Sequence, residues 1–397
     1  MSNKLANRNR DLKRLRDEGF EIEVRGGHLI AHHIPYVNSN REVKIGKLIS
    51  TLELNNNVVL KPNTHQIYFM GEHPCNNDGS IITEISHSAP NQQLFEDIIL
   101  NQYFSNKPLN NRGEHCNYEN YYDKITQYIS LISAPAKSID TAVTANTFKV
   151  IECSEDESAF HYLDSNSSRA NINFINEKFK GQRIGIIGLG GTGSYILDLV
   201  AKTPVDEILL FDSDEFLMHN AFRSPGAATI ETLNAQHKKV DYFAAIYSNM
   251  RRGIIPHAEK ITEQNIELLK GLSFVFICVD SNIARGMIIS NLLSFAIPFI
   301  DVGLGVEIKN DSLCAILRAT LGTTVKHDHL KERIGTVDSD DNDYSTNIQI
   351  ADLNAMNALM AVLKWKRHFG FYKDLKEGHN ITYDVNTGQL FNDDITT

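Results

Sequence analysis

Residues 184–193 read IGIIGLGGTG, a short apolar run that leads directly into closely spaced glycines. The apolar run predicts a buried strand, and Gly188, Gly190, Gly191 and Gly193 predict a tight turn that opens a helix. In such a turn, backbone N–H groups and the positive end of the helix can bind phosphate. The motif therefore predicts a nucleotide site, but it does not separate ATP from a nicotinamide or flavin dinucleotide.

Around this motif the sequence alternates between apolar strands and helical segments. The strands read RIGIIGL, EILLFD, IIPHAEKIT, FVFICVD and PFIDVGL, and residues 232–250 are predicted to form one of the helices. This alternation predicts an α/β fold with a mostly parallel sheet covered on both faces. Residues 305–320 read as an antiparallel addition to the sheet. Residues 349–372 read as a long helix buried in a core or a subunit interface.

The pattern divides the chain into three segments. Residues 1–150 are predicted to form a smaller α+β domain, and residues 183–397 the nucleotide-binding domain. Residues 151–182 form a linker that ends in a helix, predicted over 167–182, leading into the second domain. The acidic run DSDDND at 338–343 predicts a solvated loop.

Composition narrows the class of protein. The chain has 397 residues and a net charge of −10, which argues against a general nucleic-acid binder. No stretch approaches the ~18 apolar residues of a membrane helix, and the first residues lack the apolar core of a signal peptide. The five cysteines include no C-x-x-C pair, so neither a disulfide framework nor a zinc site is predicted. We therefore expect a cytoplasmic protein without zinc.

The stretch FDSDEFLMHNAFR favours ATP over a dinucleotide. Asp212 ends the second strand, where a carboxylate can accept both ribose hydroxyls, and Asp214 follows it. Asn220 and Arg223 are three residues apart, so one helical turn would direct both side chains to the same place. An arginine can hold terminal phosphate oxygens with two hydrogen bonds, and a dinucleotide enzyme needs no arginine here.

The chain contains G-x-G-G-x-G, followed by Asp-x-Asp and then by Asn-x-x-Arg. This combination of motifs resembles the ThiF/MoeB and ubiquitin-activating superfamily. The resemblance covers roughly residues 168–370 and is most marked to bacterial ThiF-type proteins with an extra N-terminal domain. These enzymes use ATP to adenylate the C-terminal glycine carboxylate of a ubiquitin-like or sulfur-carrier protein. The resemblance implies a Rossmann-like adenylation domain, ATP with Mg²⁺, a homodimer, and a conjugation, antiviral defence or cofactor pathway.

The resemblance also implies roles for individual residues. Lys239 matches the lysine that contacts phosphate, with Lys238 as the competing position. Asp280 matches the aspartate that holds Mg²⁺, and Asn282 follows it at the ATP site. Arg169 lies where the family places an arginine that reaches into the partner subunit's ATP site. Together with Arg223, the residues Lys239, Asp280 and Arg169 form the predicted catalytic set.

The sequence departs from its relatives in its cysteines. Residues 315–397 contain none, although relatives that form a thioester place a cysteine near that region. Cys116 and Cys75 remain as thioester candidates; alternatively, the adenylate passes directly to a nucleophile on the partner. We expect the N-terminal domain to bind the ubiquitin-like protein, a downstream conjugating protein or another subunit. The alternative is that it supplies a second catalytic centre.

Three other functions remain open from the sequence. The first is a ThiF-like enzyme that adenylates a non-protein substrate, such as a peptide or a tRNA base, although the negative charge does not favour RNA. The second is a nicotinamide- or flavin-dependent oxidoreductase, against which Asn220, Arg223 and Lys239 argue. The third is a catalytically dead scaffold, against which the complete set of polar residues argues.

Overall fold

The structure is a computed structural model that describes residues 3–55, 58–110, 112–155, 158–336 and 348–395. The chain divides into two compact units, Met1–Glu152 with Ser168–Ala170 and Cys153–Ser167 with Asn171–Thr397. The acidic run at 338–343 lies outside the described residues. Across the ranges that are described, no helix is both long and apolar enough to cross a membrane.

The first unit contains a six-stranded antiparallel sheet in the order β1-β2-β3-β6-β10-β7. Its helices are α1 (Asn3–Arg8), α2 (Arg10–Asp17) and α3 (Tyr121–Ile139). Its strands are β1 (Ile22–Arg25), β2 (His28–Val37), β3 (Val43–Thr51), β4 (Leu54–Asn55), β5 (Val58–Val59), β6 (Gln66–Met70), β7 (Ser86–Ser88), β8 (Gln92–Phe95), β9 (Ile98–Leu100) and β10 (Gln102–Ser105). Apolar side chains of α2 and α3 share one core with this sheet, which confirms the predicted α+β fold.

The second unit is an α/β fold, as predicted. Its helices are α4 (Ser165–Arg169, whose last two residues group with the first unit), α5 (Asn173–Asn176), α6 (Gly191–Ala201), α7 (Met218–Ala221), α8 (Ile230–Asn234), α9 (Lys239–Tyr247), α10 (Asn282–Ser294), α11 (Leu330–Arg333) and α12 (Ala351–His368). Its strands are β11 (Arg183–Ile187), β12 (Glu207–Phe211), β13 (Ile254–His257), β14 (Phe274–Ile277), β15 (Phe299–Lys309), β16 (Ser312–Gly322), β17 (Gly378–Asp384) and β18 (Gln389–Ile395). Two 3-10 turns complete it, Glu177–Phe179 and Ile266–Leu269.

The eight strands of the second unit form one sheet in the order β13-β12-β11-β14-β15-β16-β17-β18. The first five strands pair in parallel and the last three pairings are antiparallel. The parallel part confirms the predicted α/β sheet, and the β15–β16 hairpin confirms the antiparallel addition. Sequence analysis did not predict β17 and β18.

The sheet is covered on both faces. One core contains apolar side chains of α6, α9 and α12, and a second contains those of α10 and the Ile266–Leu269 turn. Trp365 of α12 is fully buried and stacks on Phe179 with ring centroids 4.6 Å apart. The long C-terminal helix therefore packs in the core of its own unit.

Two predicted helices are interrupted. The helix predicted over 167–182 is divided into α4, α5 and a 3-10 turn, and Asn171 has a φ of 56°. The helix predicted over 232–250 is divided into α8 and α9, and Gln236 has a φ of 48°. A residue in the left-handed region ends an α-helix, so each of these residues separates two short helices.

Candidate nucleotide site

The candidate site lies at the carboxyl edge of the parallel strands. The register pairs Ile187, the last residue of β11, with Phe211 of β12 and Ile277 of β14. The segments that follow these three strands therefore begin side by side. This edge is where open α/β sheets bind their ligands, and it is where the predicted glycine turn, Asp212 and Asp280 fall.

The glycine turn connects β11 to α6. Gly188 has a φ of 91°, a conformation that favours glycine, and its N–H donates to Phe211 O at 2.8 Å. Gly190 is the N-cap residue of α6, and as a glycine it has no side chain that could cap this end of the helix. The N–H groups of the first helical turn have no acceptor within the helix, so they can bind an anion.

The four predicted glycines serve different purposes. A β-carbon on residue 188 would lie 2.5 Å from the carbonyl oxygen of Cys278, and one on Gly193 would clash with Gly188 O. A β-carbon on Gly191 would clash with the side-chain amide of Asn354. A β-carbon on Gly190 would meet no atom of the described residues within 4 Å. Gly190 alone among the four therefore borders open space, where a phosphate can approach the backbone.

Asp212 ties the turn to the second strand. Its carboxylate accepts a hydrogen bond from the Leu189 N–H at 2.7 Å through Oδ2 and from the Asp214 N–H at 2.9 Å through Oδ1. Both bonds fix the carboxylate beside the glycine turn. Its proposed bonds to ribose hydroxyls would use the remaining lone pairs of the same oxygens.

Lys239 is the buried lysine of the site. Its Nζ donates to Asp214 Oδ2 at 2.8 Å and lies 3.6 Å from Asp212 Oδ2. The competing Lys238 is more exposed, and its Nζ donates to the Ser213 carbonyl oxygen at 3.0 Å. Lys239 therefore is the lysine that the structure brings to the Asp212 carboxylate.

The ion pair with Lys239 predicts a pH-dependent contribution of Asp214 to stability. The hydrogen bond from Lys239 lowers the pKa of Asp214 from its ordinary 3.8, so this contribution is present above 3.8 and is lost as the pH falls through the lowered pKa. The Asp214 side chain is 58% exposed. We expect Asp214→Asn to lower the free energy of unfolding at pH 7 by less than about 1 kcal/mol.

The measurement is urea denaturation of wild type and Asp214→Asn at pH 7 and at pH 3. The difference between the two proteins should be smaller at pH 3 than at pH 7, because the contribution of the ion pair decreases once the pH falls below 3.8. An equal difference at both pH values would show that the ion pair is not its source.

Asn220 and Arg223 lie on and just after α7. Asn220 is buried, and its Oδ1 accepts from the Leu217 N–H at 2.9 Å, so its side chain caps this short helix. Arg223 is half-buried, and burial lowers the pKa of its guanidinium. Within the described part of the chain, Arg223 Nε has no hydrogen-bond partner and no carboxylate forms an ion pair with this residue. A cation held in this way favours an anionic ligand.

Asp280 follows β14 and is exposed, with no bonded partner among the residues described. The segment that presents it is held from both sides. Ser281 Oγ accepts from the Ala284 N–H at 3.3 Å and caps α10, and Arg285 donates to the Val279 carbonyl oxygen at 2.5 Å. Arg285 also donates to Asn282 Oδ1. Asn282 thus accepts a hydrogen bond from Arg285, which also holds the segment after β14. The contact of Asn282 with ATP stays a prediction.

A buried carboxylate that sequence analysis missed holds that arginine. Asp301 on β15 is fully buried and accepts from Arg285 Nε at 2.9 Å and from Arg318 Nη2 at 2.6 Å. The aspartate links β14, through the segment after it, to the β15–β16 hairpin. No local pattern in the sequence indicated this link, because its three members come from three separate elements.

Asn354 is the second residue that sequence analysis missed. It lies in α12, is fully buried, and its Oδ1 accepts from Thr192 Oγ1 at 2.9 Å. The sequence did contain a signal, since ADLNAMNALM places Asn354 and Asn357 three residues apart in a mostly apolar stretch of the helix. Two amides at this spacing lie on the same face of a helix. If that face is buried, the amides need hydrogen-bond partners, so their presence indicates a specific contact.

Three predicted site residues belong to the first unit. Arg169 is exposed and groups with that unit. Cys75 is buried, its thiol donates to the His73 carbonyl oxygen at 3.3 Å, and burial raises the pKa of the thiol. Cys116 is half-buried and donates to the Pro108 carbonyl oxygen at 3.6 Å. A raised pKa lowers the thiolate fraction at neutral pH, and burial limits access to the sulfur, so both observations argue against Cys75 as a thioester residue.

The donor set at the edge fits Mg²⁺ that arrives with a nucleotide. In the described ranges no three His, Cys, Asp or Glu side chains cluster as a metal site. Mg²⁺ is usually held by one or two carboxylates together with substrate phosphates and water. The exposed Asp280 carboxylate, which has no bonded partner among the described residues, meets that requirement and would hold the ion only with its nucleotide.

Comparison with known proteins defines the class. Residues 168–365 match the ThiF family, and residues 10–165 match a domain of unknown function, DUF6791. The chain therefore carries a ThiF family domain, which confirms the resemblance seen in the sequence and supports an ATP-dependent adenylyltransferase.

Several solved structures are similar to parts of the chain. E. coli MccB with MccA-N7isoASN is 14% identical over 58% of this chain and 69% of its own, with a TM-score of 0.45. Selenomethionine PaaA is 16% identical over 68% of this chain and 86% of its own, with a TM-score of 0.46. E. coli MccB with ATP is 15% identical over 57% and 67%, with a TM-score of 0.45. No curated protein matches the chain.

Proposed function

We propose that this chain uses ATP to adenylate the C-terminal glycine carboxylate of a ubiquitin-like or sulfur-carrier protein, in a bacterial ubiquitin-like conjugation or related pathway. The observation that carries the proposal is Arg223, whose half-buried guanidinium has no carboxylate partner in the described part of the chain. A partly desolvated cation favours an anion with several oxygens, and a triphosphate is such an anion. The glycine turn adds backbone N–H donors for the same charge.

In the proposed reaction, a carboxylate oxygen of the substrate attacks the α-phosphorus of ATP. A phosphorus–oxygen bond forms while the bond to pyrophosphate breaks, pyrophosphate leaves with the electron pair, and an acyl-adenylate remains. The protein contributes alignment and charge neutralisation rather than a covalent intermediate. Mg²⁺ supplies further charge neutralisation when it is bound.

Each residue of the site has a proposed part in this reaction. Asp212 holds the ribose hydroxyls, Arg223 binds the phosphates, and Asp280 holds the metal ion that accompanies ATP. Lys239 is paired with Asp214 at 2.8 Å, so we propose that it exchanges this carboxylate for phosphate when ATP binds. This exchange needs little movement, because a lysine side chain carries three donors on a flexible stem.

The proposal extends to the assembly of the enzyme. We propose a cytoplasmic homodimer in which Arg169 completes the partner subunit's ATP site. The segments are a partner-binding domain at 1–150, a linker at 151–182 and the adenylation domain at 183–397. Cys116 and Cys75 are the candidates for a thioester; if neither forms one, the adenylate passes directly to a nucleophile on the downstream protein.

The test has two steps. First, ATP, NADH and FAD are titrated into the wild-type protein; we expect ATP to bind and the dinucleotides not to bind. Second, ATP–pyrophosphate exchange is measured with a β-grasp protein that ends in glycine, the same protein without that glycine, a short peptide and tRNA. We expect exchange only with the intact β-grasp protein.

Each other outcome identifies a different function. Exchange with the peptide or tRNA would indicate a ThiF-like enzyme with a non-protein substrate. Tight NADH or FAD binding would indicate an oxidoreductase, and a protein that binds none of the nucleotides would be a scaffold. Any of these three results would overturn the proposal.

A further inference from the structure

The buried face of α12 brings an amide to the nucleotide turn. Asn354 is fully buried, and its Oδ1 accepts from Thr192 Oγ1 at 2.9 Å. Its Nδ2 is buried too, and it has no hydrogen-bond partner in the described ranges. This nitrogen occupies the space that a side chain on Gly191 would fill.

The contacts of Asn354 fall on the first turn of α6. Gly190 is the N-cap residue of that helix and has no side chain to cap it, and Gly191 and Thr192 are the first two helical residues. Asn354 contacts the turn at Gly191 and Thr192, whereas the described residues leave open space at Gly190. A buried amide donor without an acceptor is rare in folded proteins, and this one is directed at a turn whose N–H groups suit an anion.

We propose that Asn354 is a positioning residue for ATP, which holds the first turn of α6 so that its N–H groups face the phosphates. This inference rests on the proposed function, because it assigns the ligand of the turn as ATP. The Thr192 hydroxyl fixes one side of the turn, and the amide packed beneath Gly191 fixes the other. With both contacts in place, the backbone donors are aligned before the nucleotide arrives, which is what preorganised binding requires.

The same geometry explains why residue 191 is glycine. Any side chain there would displace the Asn354 amide from beneath the turn. The requirement for glycine at residue 191 is therefore set by Asn354 of α12, which lies 163 residues further along the chain, and not by the phosphate itself.

The test compares two probes, ATP and adenosine, which lacks the phosphates. We expect Asn354→Ala to raise the Kd for ATP by about tenfold and to leave the Kd for adenosine within twofold of wild type. We expect Asn354→Asp to weaken ATP binding further, because it keeps an acceptor for Thr192 but adds negative charge beneath the phosphate turn. A purely structural role would lower the affinity for both probes together.

Asn357 provides a matched control on the same helix. It is also fully buried, and its Nδ2 donates to the Gly303 carbonyl oxygen at 3.0 Å, away from the turn. Asn357→Ala removes a comparable buried bond, so its loss of thermal stability should be similar, but its ATP affinity should stay within twofold of wild type. If Asn354→Ala does not fold, Thr192→Val removes the hydroxyl donor with little change in shape, and a raised Kd for ATP alone is expected.

Two results would overturn the inference. One is a Kd for ATP in Asn354→Ala or Thr192→Val equal to that of wild type; the other is an equal loss of affinity for ATP and adenosine. A wild-type protein that does not bind ATP would instead overturn the proposed function, so the two failures are distinguishable.

Discussion

Replacing Arg223 with alanine is expected to lower the rate of ATP–pyrophosphate exchange by about 10²–10³-fold, the usual cost of removing one charged or hydrogen-bonding group from a preorganised site. The folded state should not be weakened. The guanidinium is half-buried without a carboxylate partner in the described part of the chain, so the truncation removes a buried donor that was already unsatisfied. The variant should therefore unfold at the same urea concentration as wild type.

Two further variants sharpen this prediction. Arg223→Lys keeps the charge but not the two-pronged geometry, and we expect it to recover only part of the lost rate. Lys202→Ala is the control for net charge, since Lys202 lies at the far end of α6, is exposed and pairs with Asp198 at 2.7 Å. It should exchange pyrophosphate at the wild-type rate. If Arg223→Ala exchanged pyrophosphate at the wild-type rate, Arg223 would no longer support the proposed function.

The second large effect separates two glycines of the same turn. A β-carbon on Gly193 would collide with the Gly188 carbonyl oxygen, which the backbone cannot avoid without moving. Gly193→Ala is therefore expected to lower the free energy of unfolding by about 3 kcal/mol or more. Gly190 has a φ of −70° and open space where its side chain would be, so Gly190→Ala should fold normally.

The two variants should differ in nucleotide binding as well. A methyl group at residue 190 would stand where the phosphate approaches, so we expect Gly190→Ala to raise the Kd for ATP at least about tenfold. The measurements are urea denaturation without nucleotide and calorimetric titration with ATP. Unchanged ATP affinity in Gly190→Ala would show that the phosphate does not approach this side of the turn.

The sequence was informative where the structure depends on local patterns. The apolar run before Gly188 and the alternation of strands and helices predict the parallel sheet, because each strand of such a sheet is buried on both faces. The positions of Asp212 and Asp280 follow from the same reasoning, since both come just after a buried strand. The edge at which these segments begin is therefore predictable without any structure.

The sequence was less informative where the structure depends on the backbone conformation of a single residue or on a contact between distant parts of the chain. Gln236 has a φ of 48°, which its residue type does not predict, and the predicted helix divides there. The final strands β17 and β18 depend on pairing with β16, which no local window contains. The hydrogen-bond partners of Asp301 and Asn354 are distant in the sequence, so only the folded structure shows these contacts.

The exchange of labelled pyrophosphate into ATP, with a glycine-ending β-grasp protein as substrate, tests the central claim most directly. Wild type and Asp280→Ala are compared side by side, and ATP binding is measured in parallel. We predict exchange by wild type that requires the terminal glycine of the substrate and falls sharply in Asp280→Ala. Wild-type protein that binds ATP but catalyses no exchange with this substrate would contradict the account of this chain as an enzyme that activates a protein carboxylate.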